Sequence, residues 1–436
     1  MHIEFTKHRL DNGLDVLVHE DHGCPIVAVN VWYHVGSKNE HPGRTGFAHL
    51  FEHLMFEGSQ HHDKGYFQPL QEAGGSLNGS TNTDRTNYWE VVPRNALDLA
   101  LWMESDRMGY LLPALTEHKF ANQREVVLNE RRQNYENRPY GLAGMAIVSS
   151  LFPPEHPYHW LTIGSAEDIK AAKLDDVRAF FQTYYRPRNA SLALAGDITT
   201  SEALRMAGDY FGDIEAGDPP PPVRFKAPGP PASEQRLLLE DRVELPRLYL
   251  AWHSPALFAK DDAELDLVAD VLAGGKTSRL YRTLVYDERI ATEVASSQNS
   301  REIGGFFQVV ATAAPGRTLA ELERAITREI ARLIEQGPTE AEMERCQAQA
   351  EAHFVYRLQT IGGFGGKSDQ LNAYNMFLGN PAYFDLDLDR YRAVTPFRMQ
   401  RASREWLRPA GRVVLSVVPK GRVALALTDS SAVAVS

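Results

Sequence analysis

The hydrophobic pattern of the chain predicts the same strand and helix at two places. Apolar runs at residues 27–32 and 248–252 have the β-branched and aromatic composition of buried strands. Each run is followed by a stretch whose apolar residues recur with helical spacing, at 46–56 and at 263–272. A strand and a helix repeated in the same order indicate a duplicated unit.

The ends of the two halves also match. Pro187 and Pro409 each stand between a predicted helix and an apolar run that predicts a strand, at 191–195 and 413–418. The repeat length, 409 − 187 = 222 residues, is too long for a solenoid. Because the strands and the long helices are grouped along the chain, we predict an α+β fold made of two homologous α/β domains in tandem.

A proline-rich stretch separates the two predicted domains. Seven prolines lie between positions 219 and 231. Proline fixes φ and has no backbone donor, so this stretch is predicted to be an extended linker. The predicted division is a domain at 1–215, a linker at 216–234 and a second domain at 235–436, and each domain has an ordinary size.

Four more helices are predicted from apolar spacing and turn residues, at 96–108, 117–138, 319–336 and 340–358. A glycine-rich segment at 361–367 then interrupts the helical pattern. It lacks the spacing of a phosphate-binding loop, and no strand is predicted before it. We interpret it as a flexible hinge or a close contact between helices.

Composition narrows the classes of function. The 436 residues carry a formal net charge of −11, which disfavours nucleic acid as a partner because phosphate contacts need clustered Lys and Arg. Two cysteines, Cys24 and Cys346, are too few for a disulfide framework or a cysteine-rich metal site. No apolar run is long enough for a transmembrane segment. The start has no signal-peptide pattern, so a cytoplasmic location is expected for the sequence as given, and a periplasmic one if a signal peptide has been removed.

The segment His49-Leu50-Phe51-Glu52-His53 carries the candidate chemistry. On a helix, residues four apart share a face, so His49 and His53 can bind one metal ion. Glu52 then lies beside the open side of that ion, where a carboxylate can take a proton from bound water and pass it to a leaving amine. The ligand types favour one zinc ion per chain, although manganese and cobalt accept the same ligands.

A third protein ligand is usual for catalytic zinc. The charged helix predicted at 117–138 offers two carboxylates, Glu125 and Glu130. Spacing alone does not choose between them, and both are also compatible with a solvated charged face.

The pattern resembles the signature of the inverzincin, or pitrilysin-like, metallopeptidases, in which HxxEH is followed about 77 residues later by a glutamate ligand. Here 130 − 53 = 77, so the resemblance implies that His49, His53 and Glu130 bind zinc and that Glu52 is the general base. It covers essentially the whole chain and implies two mitochondrial-processing-peptidase-like domains. One position departs from the family: where a second glutamate often precedes the ligand by seven residues, this chain has Gln123. We expect that departure to alter the surroundings of the ligands more than zinc binding itself.

The same resemblance indicates a peptide-binding strand. Residues 74–81, Gly-Gly-Ser-Leu-Asn-Gly-Ser-Thr, stand where the family has the edge strand to which a substrate peptide adds as a further strand. The resemblance implies substrate-binding roles for Asn78, Gly79 and Thr81. From the residues alone, this stretch is an ordinary Gly/Asn turn before a buried strand.

The second half lacks the metal-binding residues. When residues 272–275 are aligned on 55–58, the three motif positions hold Asp266, Ala269 and Asp270. We therefore expect the first half to carry the metal and the second half to help enclose the substrate.

The second half also lacks two groups that the family uses on substrate. Active members carry an Arg, and a Tyr seven residues later, in the half without zinc; without gaps, these positions hold Val285 and Thr292. The resemblance therefore implies a heterodimer, in which a homologous subunit lacking HxxEH supplies both groups. The alternative is that a nearby side chain replaces them after a local register shift, the candidates being Arg279, Tyr281, Arg282 and Tyr286.

The sequence as a whole predicts a zinc-dependent endopeptidase that cleaves peptides or short unfolded proteins, with Glu52 activating a zinc-bound water. The alternative is a non-catalytic core or assembly subunit of a processing-peptidase-like complex. The intact HxxEH motif argues against that alternative, because such subunits usually lose part of it.

Overall fold

A computed structural model describes residues 2–227, 229 and 233–435. The chain forms two compact units. Unit 1 consists of the chain up to Arg131, Trp160–Arg224 and His353–Leu386, and unit 2 consists of the rest. Each unit therefore includes one segment from the opposite half of the sequence.

The predicted domain bounds, 1–215 and 235–436, follow the order of the repeats along the chain and remain a prediction. Pro228, Pro230 and Pro231 of the predicted linker lie outside the described residues.

Unit 1 is built on a sheet that has six strands in the described part of the chain. In sheet order they run β1-β2-β6-β3-β5-β4, so β4 is an edge strand. Strands β2 and β6 are parallel, and the other neighbours are antiparallel. The bounds are β1 (Thr6–Arg9), β2 (Asp15–Glu20), β3 (Ile26–Tyr33), β4 (Ser76–Thr81), β5 (Thr86–Pro93) and β6 (Ala190–Gly196).

Unit 2 has the strand order β12-β7-β11-β8-β10-β9 and repeats this arrangement over its last five strands, whereas its first strand, β12, pairs parallel with β7. Here too the second and third strands are parallel and the following pairs are antiparallel. The predicted α+β fold with two homologous domains in tandem is therefore confirmed. The bounds are β7 (Gln235–Asp241), β8 (Arg247–Ser254), β9 (Ala291–Asn299), β10 (Gly305–Ala313), β11 (Arg412–Pro419) and β12 (Ser431–Ala432).

Helices cover the sheets, and within the described ranges none is long and apolar enough to cross a membrane. The helix predicted at 117–138 ends earlier, because a wider π-type turn at Arg132–Glu136 follows it. The helices are α1 (Phe47–Leu54), α2 (Phe67–Glu72), α3 (Leu97–Ala114), α4 (Glu117–Arg131), α5 (Ala143–Leu151), α6 (Ala166–Ala171), α7 (Leu174–Tyr184), α8 (Thr200–Phe211), α9 (Asp262–Ala273), α10 (Leu319–Gln336), α11 (Glu340–Arg357), α12 (Lys367–Leu378), α13 (Phe384–Arg392) and α14 (Pro396–Trp406).

The glycine-rich segment before α12 makes a close contact, but its neighbours are strands and not a helix. A Cβ atom on Gly362 would lie 2.6 Å from side-chain atoms of Ala28 in β3 and Val91 in β5. Glycine at this position therefore lets the segment lie directly on the first sheet.

Helix α12 of the second half is fixed to the first sheet by a buried carboxylate. One oxygen of Asp369 accepts hydrogen bonds from Trp32 Nε1 at 2.8 Å, Asn87 Nδ2 at 3.0 Å and Asn30 Nδ2 at 3.2 Å. The other accepts the backbone N–H of Gly365 at 2.8 Å. These bonds explain why β3, otherwise a continuous apolar run, has an asparagine at its centre.

We expect Asp369→Ala to lower the free energy of unfolding by about 2–4 kcal/mol, because three buried donors lose their shared acceptor. Guanidinium denaturation followed by circular dichroism measures the change. The control is Asp389→Ala, which removes an exposed carboxylate from α13. Equal stability of the two variants would show that this carboxylate does not hold α12 on the sheet.

Candidate metal centre

Helix α1 carries the candidate catalytic residues on one side and core residues on the other. His49, Glu52 and His53 are partly exposed. The buried side packs against aromatic residues of α7 and the residue after it, among them Phe180 and Tyr185. The buried residues of the helix are Phe47, Ala48, Leu50, Phe51 and Leu54.

The start of α1 is held by a buried carboxylate and a contact between two glycines. Glu40 accepts the backbone N–H groups of Gly46 and Ala48, each at 2.9 Å, and the indole N–H of Trp160 at 3.1 Å. Burial raises the pKa of Glu40 to about 8, while these hydrogen bonds act in the opposite direction. A Cβ on Gly164 would lie 2.4 Å from the Cα of Gly46, so the two backbones meet at a distance that only glycine permits.

The structure brings His49, His53 and Glu130 together. The Nε2 atoms of the two histidines are 3.3 Å apart. Glu130 Oε2 on α4 lies 3.6 Å from His49 Nε2 and 3.4 Å from His53 Nε2. One nitrogen of each histidine and one oxygen of Glu130 all lie within 4.8 Å of one another, close enough to share a metal ion. No other such group of three His, Cys, Asp or Glu side chains occurs among the described residues. Glu125, the other carboxylate considered on this helix, is exposed and not part of the group.

The electrostatic surroundings favour a neutral imidazole at His49. Burial and, to a smaller extent, the charge of the neighbouring His53 lower the pKa of His49 to about 4, while the charge of Glu130 acts in the opposite direction. Neutral imidazole is the form that binds a metal ion. His49 Nδ1 is buried and has no hydrogen-bond partner among the described residues.

Glu52 lies between the candidate metal-binding group and the edge strand. Burial raises the pKa of its carboxyl group, and a hydrogen bond from the Thr81 side chain at the end of β4 lowers it. The charges of His53 and Arg85 also lower the pKa of Glu52. Arg85 is itself held in place, since it donates to the Ser80 carbonyl at 2.8 Å.

Gln123, where the family often has a second glutamate, connects the two helices that carry the predicted metal ligands. Its Nε2 donates to Glu57, which lies three residues after the end of α1. A glutamate at this position would place a second negative charge beside Glu57, whereas the amide offers a donor.

The residues predicted to bind substrate lie on edge strand β4. Asn78 is exposed, and its Oδ1 accepts the backbone N–H of Gly79 at 2.8 Å. A Cβ on Gly79 would lie 3.0 Å from Tyr88 and 3.1 Å from Phe56, so glycine allows the strand to pack closely there. Thr81 contacts Glu52. The substrate-binding roles of Asn78, Gly79 and Thr81 remain predictions.

Sequence reasoning missed Glu40 and the contact between Thr81 and Glu52. Capping rules look for an acceptor at the helix start or three residues into the helix. Glu40 is six residues before Gly46 in the chain, so no local rule connects the two. Thr81 was singled out as a substrate contact, and its hydrogen bond to a residue 29 positions earlier (81 − 52) depends on strand placement.

In the second repeat, the positions equivalent to the two histidines hold the aspartates Asp266 and Asp270. The hydroxyl of Tyr391 donates to Asp266 at 2.6 Å, and burial together with the charge of Asp262 raises the pKa of Asp266 to about 7. Arg345 donates to the backbone carbonyl of Asp270 at 3.1 Å. Among the described residues, no group suited to a metal ion occurs in this repeat.

We expect Glu130→Gln to weaken zinc binding by roughly tenfold or more, because it removes one of three charged or strongly basic ligand atoms. Glu125→Gln on the same helix is the matched control and should bind zinc like the unchanged chain. Isothermal titration of the chelator-treated chain with zinc gives both affinities. Equal weakening in the two variants would contradict the assignment of Glu130.

Comparisons with known proteins agree with this division of the chain. A family model described as insulinase (peptidase family M16) matches residues 15–152, which include both histidines, Glu52 and Glu130. A second model, described as the peptidase M16 inactive domain, matches residues 171–350.

Several proteins are similar over most of the chain. Zinc protease PqqE of Helicobacter pylori is 30% identical over 361 residues, which cover 82% of this chain and 81% of that protein. The "uncharacterized zinc protease YmxG" of Bacillus subtilis is 23% identical over 403 residues, covering 92% of this chain and 95% of that protein. The crystal structure of a protease from Helicobacter pylori matches with a TM-score of 0.87 and 26% identity, covering 96% of this chain and 100% of the other. Together with the HxxEH helix and its distant glutamate, these matches show that the chain belongs to peptidase family M16, the pitrilysin-like zinc peptidases.

Proposed function

We propose that the chain is a zinc-dependent endopeptidase acting on peptides or short unfolded proteins. The observation that carries this proposal is the meeting of His49, His53 and Glu130 beside Glu52, whose carboxylate is hydrogen-bonded to the edge strand. Zinc proteases among the relatives support the same class of activity.

The three ligand residues fit a zinc ion. Two imidazole nitrogens and one carboxylate oxygen are a donor set used by catalytic zinc sites, and partial burial favours the neutral imidazole of His49. When bound, zinc would supply a Lewis acid that polarises a carbonyl group and lowers the pKa of water.

The residues of the chain supply the proton transfer. Glu52 lies in the same site, and burial raises its pKa. A general base works best when its pKa is close to the pH at which the enzyme operates, so this shift favours the role. Thr81 fixes the orientation of the carboxylate by donating a hydrogen bond to it. Glu52 would accept a proton from the attacking water and return it to the amine that leaves.

Strand β4 would hold the substrate by its main chain. Among the described residues it pairs only with β5, so the backbone groups along its other side face no strand. An extended peptide can pair with such an edge whatever its side chains are. This mode of binding suits unfolded segments, because a folded protein rarely presents an unpaired strand.

Replacing Glu52 by Gln should lower kcat by about 10²–10⁴-fold while zinc binding is retained, because the amide keeps the shape but cannot accept the proton. Cleavage of a quenched random-sequence peptide, together with zinc content by atomic absorption, tests this. An unchanged rate in the variant would contradict the role of Glu52. The core-subunit alternative would be favoured if the unchanged chain, folded and loaded with zinc, cleaved no peptide either alone or together with a homologous partner.

We further propose that a homologous subunit completes the active enzyme. Val285 packs against the apolar core of unit 2, and Thr292 donates to the carbonyl of Thr312 at 3.4 Å. Neither side chain offers the cation or the phenol that the family uses. Two nitrogens of Arg279 donate to the Glu342 carboxylate, each at 2.7 Å. These bonds hold the Arg279 side chain within unit 2, so it is a poor replacement for the missing Arg.

Adding a homologous chain that lacks HxxEH but carries the Arg and Tyr should raise peptidase activity by about a hundredfold or more, since a lost oxyanion donor costs roughly 10²–10³ in rate. The control is the same partner with its Tyr changed to Phe, which should activate less. No change on mixing, at concentrations where the two chains bind, would contradict this proposal. If the chain alone is highly active, Tyr286→Phe tests the alternative, since Tyr286 is 72% exposed.

A further inference from the structure

A cavity of about 480 Å³ lies at the start of edge strand β4, away from the metal centre. Its size is within the usual range of ligand-binding pockets. The cavity is formed entirely by residues of unit 1. Its lining includes Cys24, Ile26, Ser76, Trp89, Val91 and the glycine-rich segment 359–363.

The strand register places this cavity on the sheet face opposite the metal centre. Ser76 pairs with Val91 and Asn78 with Trp89, so these side chains share one face. Asn87, two residues before Trp89, points to the same face and binds Asp369 near α12. Thr81 is five residues from Ser76 (81 − 76), an odd number, so its side chain points to the other face, where it contacts Glu52.

An exposed phenylalanine packs against Trp89, one of the residues that line the cavity. Phe364 is 49% exposed and packs edge-to-face on Trp89, with the ring centroids 5.5 Å apart. Gly363 and Gly365 on either side have φ values of +79° and +77°, a backbone conformation that favours glycine. The glycine-rich segment therefore holds an aromatic side chain against Trp89 and covers part of that indole ring.

We propose that this cavity is a substrate subsite that takes a bulky apolar side chain about five residues from the scissile bond. The proposal rests on the proposed function, because it assumes a peptide paired with β4. A residue opposite Thr81 lies beside Glu52, and the residue opposite Ser76 lies about 17 Å further along at about 3.3 Å per residue. Because five is odd, that second residue directs its side chain to the cavity face.

An extended peptide fits the cavity better than a free small molecule does. Ser76 belongs to both the cavity lining and the edge strand, so a main chain paired with β4 at Ser76 runs beside the cavity. Trp89, Val91 and Ile361 offer apolar contacts to a side chain that leaves the peptide there. An aromatic side chain buries 150–250 Å² in such surroundings, on the order of a few kcal/mol. The favoured substrates are thus unfolded segments with an aromatic or large aliphatic residue at this distance.

Two series of peptides with a common cleavage point test the subsite. One series varies the fifth residue before the cleavage point and the other varies the fifth residue after it, and in each series that residue is Phe or Asp. We expect kcat/KM to favour Phe by about tenfold or more in one series, and the side that responds gives the direction of the bound peptide. Ser76→Trp, which fills the cavity, should abolish the preference. Gln71→Trp adds the same bulk to an exposed position of α2 outside the cavity and should retain it. Equal rates for Phe and Asp in both series would overturn the proposal.

A second measurement does not depend on cleavage or on the folding of the Ser76 variant. Cys24 lines the cavity and is exposed, whereas Cys346 is buried, so iodoacetamide should modify Cys24 selectively. In the Glu52→Gln chain, the Phe peptide should slow this alkylation and the Asp peptide should not. Selective protection without any cleavage by the unchanged chain, either alone or with the homologous partner, would refute the proposed function and retain the subsite. Cleavage without selectivity or protection would refute the subsite and retain the function.

Discussion

The site depends on the position of one short helix. Helix α1 has eight residues, fewer than the roughly 12–15 that an isolated helix needs for stability in water. Its place is therefore fixed by contacts outside itself: the Glu40 carboxylate on its first backbone N–H groups, the glycine contact at its start, and the Gln123–Glu57 bond beyond its end. Since His49, Glu52 and His53 lie within five consecutive positions, any displacement of this helix would move all three together.

A buried ionic cluster supports β5, the strand that pairs with edge strand β4. Arg107 is fully buried and bonded to Glu104 and Glu90, and its guanidinium lies 4.0 Å from the ring centroid of Tyr66 and 4.1 Å from that of Tyr88. Buried charges destabilise a fold unless they are paired and hydrogen-bonded. Here the ion pairs connect α3 to β5 and thereby fix the position of β5, the strand with which β4 pairs.

The two repeats show how one topology serves different purposes. Both sheets have equivalent strand orders, and each has a helix after its central strand. In the first repeat that helix presents two imidazoles to a carboxylate from another helix. In the second, Asp266 is satisfied by Tyr391 and lies near Asp262. The fold therefore tolerates different polar groups at these positions, provided that each finds a partner.

The sequence alone determined much of this protein, because the relevant signals are local or periodic. Apolar runs and helical spacing predicted β3, β8, α10 and α11 within one or two residues, and the 222-residue spacing indicated the duplication. The i, i+4 spacing predicted that His49 and His53 share a helix face. The choice of Glu130 over Glu125 came from resemblance, since spacing left both open.

Only the tertiary structure decided that Glu40 holds the start of α1, that Thr81 contacts Glu52, and that α12 of the second half covers the first sheet. These contacts join residues that are distant or unpatterned along the chain, and their partners are set by packing and by the need of buried polar groups for hydrogen bonds.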